Sequence, residues 1–186
     1  DIPPPRDKIF DDLANDLHEG KICPVLIGVA TRTNGVQRLL KALRHEAPGV
    51  AKTIERLGAK TNGDAIASVL KTYNTTHGGK LSVVRVLSGQ IGDGVTLSTP
   101  DGEAGRVSGT LKLMGQATEK RGPAGPGETV GLGKLDQART GDTLSAGKEA
   151  VIALARIAPQ PPVLAIAASA KERKDDVKLG QALNKL

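Results

Sequence analysis

The chain is almost without aromatic rings. In 186 residues the aromatic fraction is 1%, carried by Phe10 and Tyr73, and there is no tryptophan. A core made from this sequence is therefore valine, leucine, isoleucine and alanine. A surface that reads single-stranded nucleic acid by stacking bases on aromatic side chains is excluded. Cysteine is represented by Cys23 alone, inside an apolar run, so no internal disulfide can form and the thiol reads as a small core residue. That usage fits a reducing compartment such as the cytoplasm. No apolar run approaches the length that crosses a bilayer, which gives no reason to expect a membrane partner. The opening aspartate and proline run do not make a secretory leader, so the Asn74-Thr75-Thr76 sequon carries no meaning.

Hydrophobic residues make up 38% and charged residues 25%, enough apolar material for a buried core. The net charge is +6, with an isoelectric point near 9.6. An excess of cations favours an anionic partner, and nucleic acid is the commonest one; the plainer alternative is a solvated basic surface.

Periodicity divides the chain. Ile9, Phe10, Leu13 and Leu17 share one helical stripe that ends at Gly20. Ile22 to Ile27 is apolar at nearly every position, as in a strand of a parallel sheet covered on both faces. Val36, Leu39, Leu40 and Leu43 predict a second amphipathic helix, stopped by Pro48-Gly49. Residues 49 to 64 are weakly periodic and read as a linker. From Ile66 to Lys148 the rhythm changes to short strands broken by glycine turns, a pattern that favours a small closed β-barrel. Within it, Leu81 to Leu87 is apolar on both faces and carries Arg85 in its middle. Val84 and Val86 are expected on one side, and Leu81, Val83 and Leu87 on the other. After a proline cluster, "VLAIAA" predicts a strand, and Asp175 or Asp176 caps a helix with Leu179, Ala182, Leu183 and Leu186 on one face. A lone strand with its helix is not a domain, so an incomplete domain is expected at each end of a finished barrel.

Few residues suggest chemistry. Gly131, Gly133 and Lys134 approach a phosphate-binding loop, but leucine follows the lysine where serine or threonine is needed, and they read as loop glycines. His18, His45 and His77 lack ligand spacing; the first two read as exposed helix ends. No nucleophile, acid and base fall into a legible set. Contact with RNA would pass through phosphate and shape. The barrel's candidates are Lys80, Arg85, Arg106 and Lys112, with Lys120 and Arg121 beside them.

Four stretches together carry a resemblance. "GKLSVVRVLSGQIGDG" with "TGDTL" downstream looks like domain II of the translational GTPases, and "PPVLAIAASAKERKDDVKLGQAL" narrows the likeness to the elongation factor G family. "ICPVLIGVATRTNGVQRLLKAL" is similar to the last strand and helix of that family's GTP-binding domain. The resemblance implies a mainly β fold. It divides the chain into the end of a GTP-binding domain (1–50), a linker (51–65), the domain II barrel (66–148), a second linker (149–161) and the first strand and helix of a ferredoxin-like α+β domain III (162–186). It places Gly28, Val29 and Ala30 in the guanine-recognition loop, which in the family usually reads Gly-Ser-Ala; with valine in the middle, guanine contact there rests on backbone alone.

The family hydrolyses GTP on the ribosome, in translocation or recycling. The resemblance implies GTP and Mg²⁺ in the parent protein and none in this segment, whose sequence lacks the phosphate loop, the switch regions and the Asn-Lys-x-Asp motif. Whether the segment counts as an enzyme stays open. Its expected partners are small-subunit rRNA and neighbouring domains, with Arg85 paired to an acidic neighbour or a phosphate. A free-standing RNA-binding or scaffolding barrel is the alternative, and a peptide adaptor with an exposed sheet edge is a third reading that no pattern prefers.

Overall fold

Alternating strands and glycine corners between Ile66 and Ser145 produce one sheet. In the computed structural model, which describes residues 5–58, 63–75, 79–147, 154 and 160–183, the chain divides into two compact units, Asp1–Lys60 and Thr61–Leu186. His77, most of the expected second linker and the last residues of the terminal helix lie outside the described residues.

The second unit contains β1 (Ile66–Thr75), β2 (Gly79–Ser88), β3 (Thr96–Thr99), β4 (Gly102–Arg106), β5 (Thr110–Met114), β6 (Ala117–Arg121), β7 (Thr129–Gly133) and β8 (Thr143–Ser145). All neighbours are antiparallel, in the order β4-β3-β8-β1-β2-β7-β5-β6. Glycine sets the corners. Gly115 (φ +59) opens the two-residue turn between the paired Met114 and Ala117, a conformation that suits the twist of a hairpin. At Gly89 a Cβ would stand 2.6 Å from Ala65 Cα, so only glycine lets β2 end beside the start of β1.

The inward face is mainly aliphatic, as the lack of aromatics requires. Ala67 and Val69 of β1, Val84 and Val86 of β2, Val130 and Leu132 of β7 and Leu144 of β8 meet Ile91, Val107, Leu135 and Ala138 from the loops in one buried cluster. β2 separates as its pattern predicts: Val84 and Val86 are buried, Leu81 and Val83 are half-buried on the other face, and Arg85 is exposed. Leu87 differs. The pairing steps from Ala67↔Val86 to Ile66↔Ser88, so Leu87 is the extra residue of a bulge and is buried there.

The expected closed barrel does not form as a closed ladder: the described strands end at β4 on one edge and β6 on the other. The strands near the gap have only four or five residues, and loops take over their bonding. Val107 N–H donates to Val95 O at 2.9 Å, and Ser108 N–H to Gly133 O at 3.2 Å. Gln137 N–H donates to Ala104 O on β4 at 3.3 Å. Single bonds from irregular backbone thus hold the sheet around its core where a ladder would have closed it.

The first unit has α1 (Arg6–His18), a 3₁₀ turn (Ala30–Arg32), α2 (Val36–His45) and α3 (Val50–Arg56). The two amphipathic helices fall where periodicity puts them, and Gly20 (φ +75) ends α1. α3 replaces the first part of the expected linker. His18 is half-buried and its Nε2 donates to Glu46 O at 3.0 Å, while Arg38 holds the Glu46 carboxylate at 2.7 Å. The strand expected over Ile22 to Ile27 is absent. The segment is exposed, with Val25 at 84% and Ile27 at 91%, and Cys23 is exposed with it. A strand exists only through a partner's backbone, and among the described residues the nearest pairing is the isolated bridge Val29↔Asn34.

In the second unit "VLAIAA" is unpaired for the same reason, with Val163 fully exposed. The helix after it forms as α4 (Asp176–Leu183). Asp175 lies in the preceding 3₁₀ turn and accepts from Lys178 Nζ at 3.1 Å.

Buried hydroxyls such as Ser82 and Thr110 break the apolar rule, and one of them is left without a partner. Ser82 Oγ on β2 is fully buried and has no hydrogen-bond partner. Ser82→Ala removes that desolvated hydroxyl and is expected to stabilise the chain by about 1 kcal/mol. Chemical denaturation measures it, and a lower midpoint would mean that the hydroxyl holds a partner.

Candidate functional site

The loop carrying Gly28, Val29 and Ala30 is shaped by backbone contact. A Cβ on Gly28 would stand 2.7 Å from Asn34 O, and one on Gly35 would stand 2.9 Å from Gly28 Cα. The two glycines let the loop fold back on itself before α2 begins. Val29 N–H donates to Asn34 O at 3.0 Å, Val29 O accepts from Arg32 N–H at 3.0 Å, and Thr33 takes the left-handed conformation (φ +58). Both backbone groups of Val29 are therefore spent inside the loop.

The candidate cations do not gather into one patch. Arg85 stands on the outer face of β2 and donates to Thr129 Oγ1 at 3.2 Å, a hydroxyl where a carboxylate or phosphate was expected. Lys112 lies on the opposite face of the sheet, on the side of the buried Thr110, and is exposed across from Glu119 on β6. Arg106 Nε donates to Gly94 O at 2.9 Å, and Lys80 Nζ to Asp136 O at 3.2 Å. Each of these two ties a strand to a loop while its head group stays near solvent.

The neighbouring Lys120 and Arg121 are more fully engaged. Asp93 accepts Thr110 N–H at 2.8 Å through Oδ1 and faces Lys120 Nζ at 3.6 Å through Oδ2. Arg121 grips Glu128 through two nitrogens, at 2.9 and 3.0 Å, and donates to Pro123 O at 3.3 Å. Glu128 Oε2 also accepts Gly125 N–H at 2.7 Å. The "RGPAGPGE" segment is thus a loop locked by a forked ion pair. Arg121 also lines an open cleft of about 470 Å³ with Gln90, Asp93, Val95 and Pro123, but its charge is already matched. Sequence inspection missed this clamp, although an arginine and a glutamate bracketing a Gly-Pro run were its visible signal.

Gly131 and Gly133, read from sequence as loop glycines, are instead strand residues of β7, and Lys134 follows in the left-handed region (φ +61). Among the described residues no three His, Cys, Asp or Glu side chains are grouped to hold a metal ion.

Residues 64–147 match the family model described as elongation factor G domain 2. The chain is 37% identical over 188 residues to an elongation factor G-like protein from Synechocystis sp., covering 100% of this chain and 27% of that protein. It is 30% identical over 196 residues to elongation factor G from Petrotoga mobilis, covering 98% of this chain and 28% of that protein. The chain thus spans about a quarter of the length of the curated relatives it matches. A crystal structure from Thermus thermophilus shares the fold, with a TM-score of 0.71 and 24% identity over 97% of this chain and 26% of that one.

The clamp sets a pH dependence. Arg121 first, then Gly125 N–H, holds the Glu128 carboxyl below the ordinary carboxylate range. A carboxyl depressed on folding stabilises the loop above its unfolded value and loses that effect as pH falls through the folded one. The loop is therefore expected to stay clamped until the pH falls below the ordinary carboxylate range. NMR titration checks this: the Glu128 carboxyl should titrate below the ordinary range of a glutamate. At neutral pH, Glu128→Gln should make Gly125 amide exchange several-fold faster. Unchanged exchange would assign the loop's order to its prolines alone.

Proposed function

We propose, from the match of residues 64–147 to the elongation factor G domain 2 model, that the chain serves a ribosome-associated translational GTPase of the elongation factor G type. The observation that carries the reading is the domain match set within likeness to two such proteins along nearly the whole chain. The proposed division is the end of the GTP-binding domain at 1–50, the domain 2 sheet at 66–148 and the beginning of domain III at 162–186, with linkers between them. The site of action is the cytoplasm; no helix among the described residues is long and apolar enough to cross a membrane.

The sheet's part is to dock on small-subunit rRNA. With two aromatics in the chain, docking uses backbone phosphate and shape, through Lys80, Arg85, Arg106 and Lys112. These four occupy different faces and corners of the sheet, so they suit a surface that wraps a folded RNA better than one that tracks a single strand.

GTP and Mg²⁺ belong to the parent protein in this reading. The Gly28–Ala30 loop offers the base little: with Val29 engaged at both backbone groups, base contact falls to Gly28 and Ala30. The phosphate loop and the Asn-Lys-x-Asp motif are not in this sequence, so no step of hydrolysis is assigned to these residues. A second reading, the sheet as a self-standing RNA-binding module, is favoured by one observation: the large buried cluster lies wholly within Thr61–Leu186.

Binding of the chain to small-subunit rRNA across a salt series tests the docking role. Affinity should fall steeply with salt, and Arg106→Ala or Lys112→Ala should each reduce the slope by about one. Binding to the assembled small subunit well above that to bare rRNA separates the ribosomal role from the free-standing module. No binding at any salt would remove the RNA reading.

A further inference from the structure

The outer face of the sheet carries an apolar patch that the core does not use and from which the rRNA reading takes only Arg85 at its rim. Strand registers align one row across five strands: Lys120 of β6, Leu111 of β5, Gly131 of β7, Val83 of β2 and Lys71 of β1. At about 4.8 Å between strands the row spans about 19 Å. The next row adds Leu81, paired across to Tyr73, and the row on the other side adds Leu113 and Arg85.

Gly131 is the floor of this patch. A Cβ there would stand 3.0 Å from Leu81 Cδ1 and 3.2 Å from Leu113 Cδ2, so the two leucines reach over bare backbone from opposite sides. They do not seal the surface: Leu81, Val83, Leu111 and Leu113 are all half-buried, and Tyr73 is 52% exposed. A bulge brings Tyr73 and Lys71 here. The extra residue Leu70 breaks the alternation of β1 after Val69, moving both from the inward to the outward face.

The rim is cationic. Lys71 and Arg85 flank Val83 at one end, and Lys120 closes the other, loosely held by Asp93 at 3.6 Å. The three rows contain no carboxylate. An apolar centre within a charged rim is the anatomy of a protein interface. RNA would gain little from it, because aliphatic side chains give ribose and phosphate nothing to bond and only Tyr73 offers a base a stacking surface.

We propose that this outer face docks an acidic amphipathic helix of a protein partner, its aliphatic ridge on Leu81, Val83, Leu111 and Leu113 and its carboxylates toward Lys71, Arg85 and Lys120. Three rows about 7 Å apart and 19 Å wide accommodate about three turns of helix, about 11 residues. The proposal rests on the registers and the charge pattern and does not depend on the ribosomal reading.

Methyl NMR of the whole chain tests it. The probes are a synthetic helical peptide of about 11 residues with a leucine ridge flanked by glutamates, the same peptide with its leucines changed to serine, and a small-subunit rRNA helix. The leucine peptide should shift the methyls of Leu81, Val83, Leu111 and Leu113 in a saturable way. Lys71→Glu with Arg85→Glu should weaken it about tenfold and favour a peptide with lysines in place of glutamates, a reversal that a misfolded variant could not show. Equal response to the serine peptide, no response to the leucine peptide, or displacement of those methyls by the rRNA helix would each overturn the proposal. Arg106 and Lys112 lie off this patch, so their salt slopes report on the rRNA reading separately.

Discussion

Backbone pairing of β2 along both of its edges, with β1 on one side and β7 on the other, is the constraint from which the rest of the sheet follows. A strand held on two edges cannot slip by one residue without turning every side chain to the opposite face. Here a slip would send Val84 and Val86 into solvent and carry Arg85 into the core. The register is therefore fixed by burial. Once it is fixed, the cross-strand neighbours on both faces are fixed too, including the row that places Gly131 between Val83 and Leu111.

The same constraint explains which parts of the fold could be read from the chain. The two-faced pattern of Leu81 to Leu87, the aliphatic core and the stripes of α1 and α2 are properties of single segments, and periodicity displays them. Bulges are properties of pairs. Nothing in the letters around Leu70 or Leu87 announces that one partner has a residue too many, and it is this count that buries Leu87 and turns Tyr73 outward. Closure is a property of the whole sheet, and the short β3, β4 and β5 hand their bonding to loops. Ile22 to Ile27 and "VLAIAA" show the limit most clearly. Their composition is that of buried strands, yet a strand is made by the backbone beside it, and the described residues offer them none.

Charge behaves in the same local way. A net charge of +6 suggested a basic surface, but most of the cations singled out serve as ties. Lys80 and Arg106 hold loop carbonyls, Arg121 closes its own loop on Glu128, and Arg38 fixes Glu46 at the end of α2. Exposed ion pairs contribute little each, so their worth lies more in positioning irregular backbone than in stability. Of the four candidate phosphate contacts, Lys112 is the one whose head group is exposed on the sheet with only a cross-strand Glu119 opposite. A basic isoelectric point is thus a poor map of where an anion binds, and the strand register is a better one.

The contrast between the two units bears on what the chain does. The sheet of the second unit satisfies its own apolar residues on the inward face and leaves a half-covered patch on the outward one. The first unit leaves most of its large apolar side chains in solvent, with Ala42 its one buried hydrophobic residue among those described. Exposed aliphatic surface on this scale is costly in water. The Gly28–Ala30 loop has its central backbone already self-bonded, whereas the well-formed features are a sheet with its own core, tied loops and apolar faces. Physically these features fix irregular backbone against the sheet.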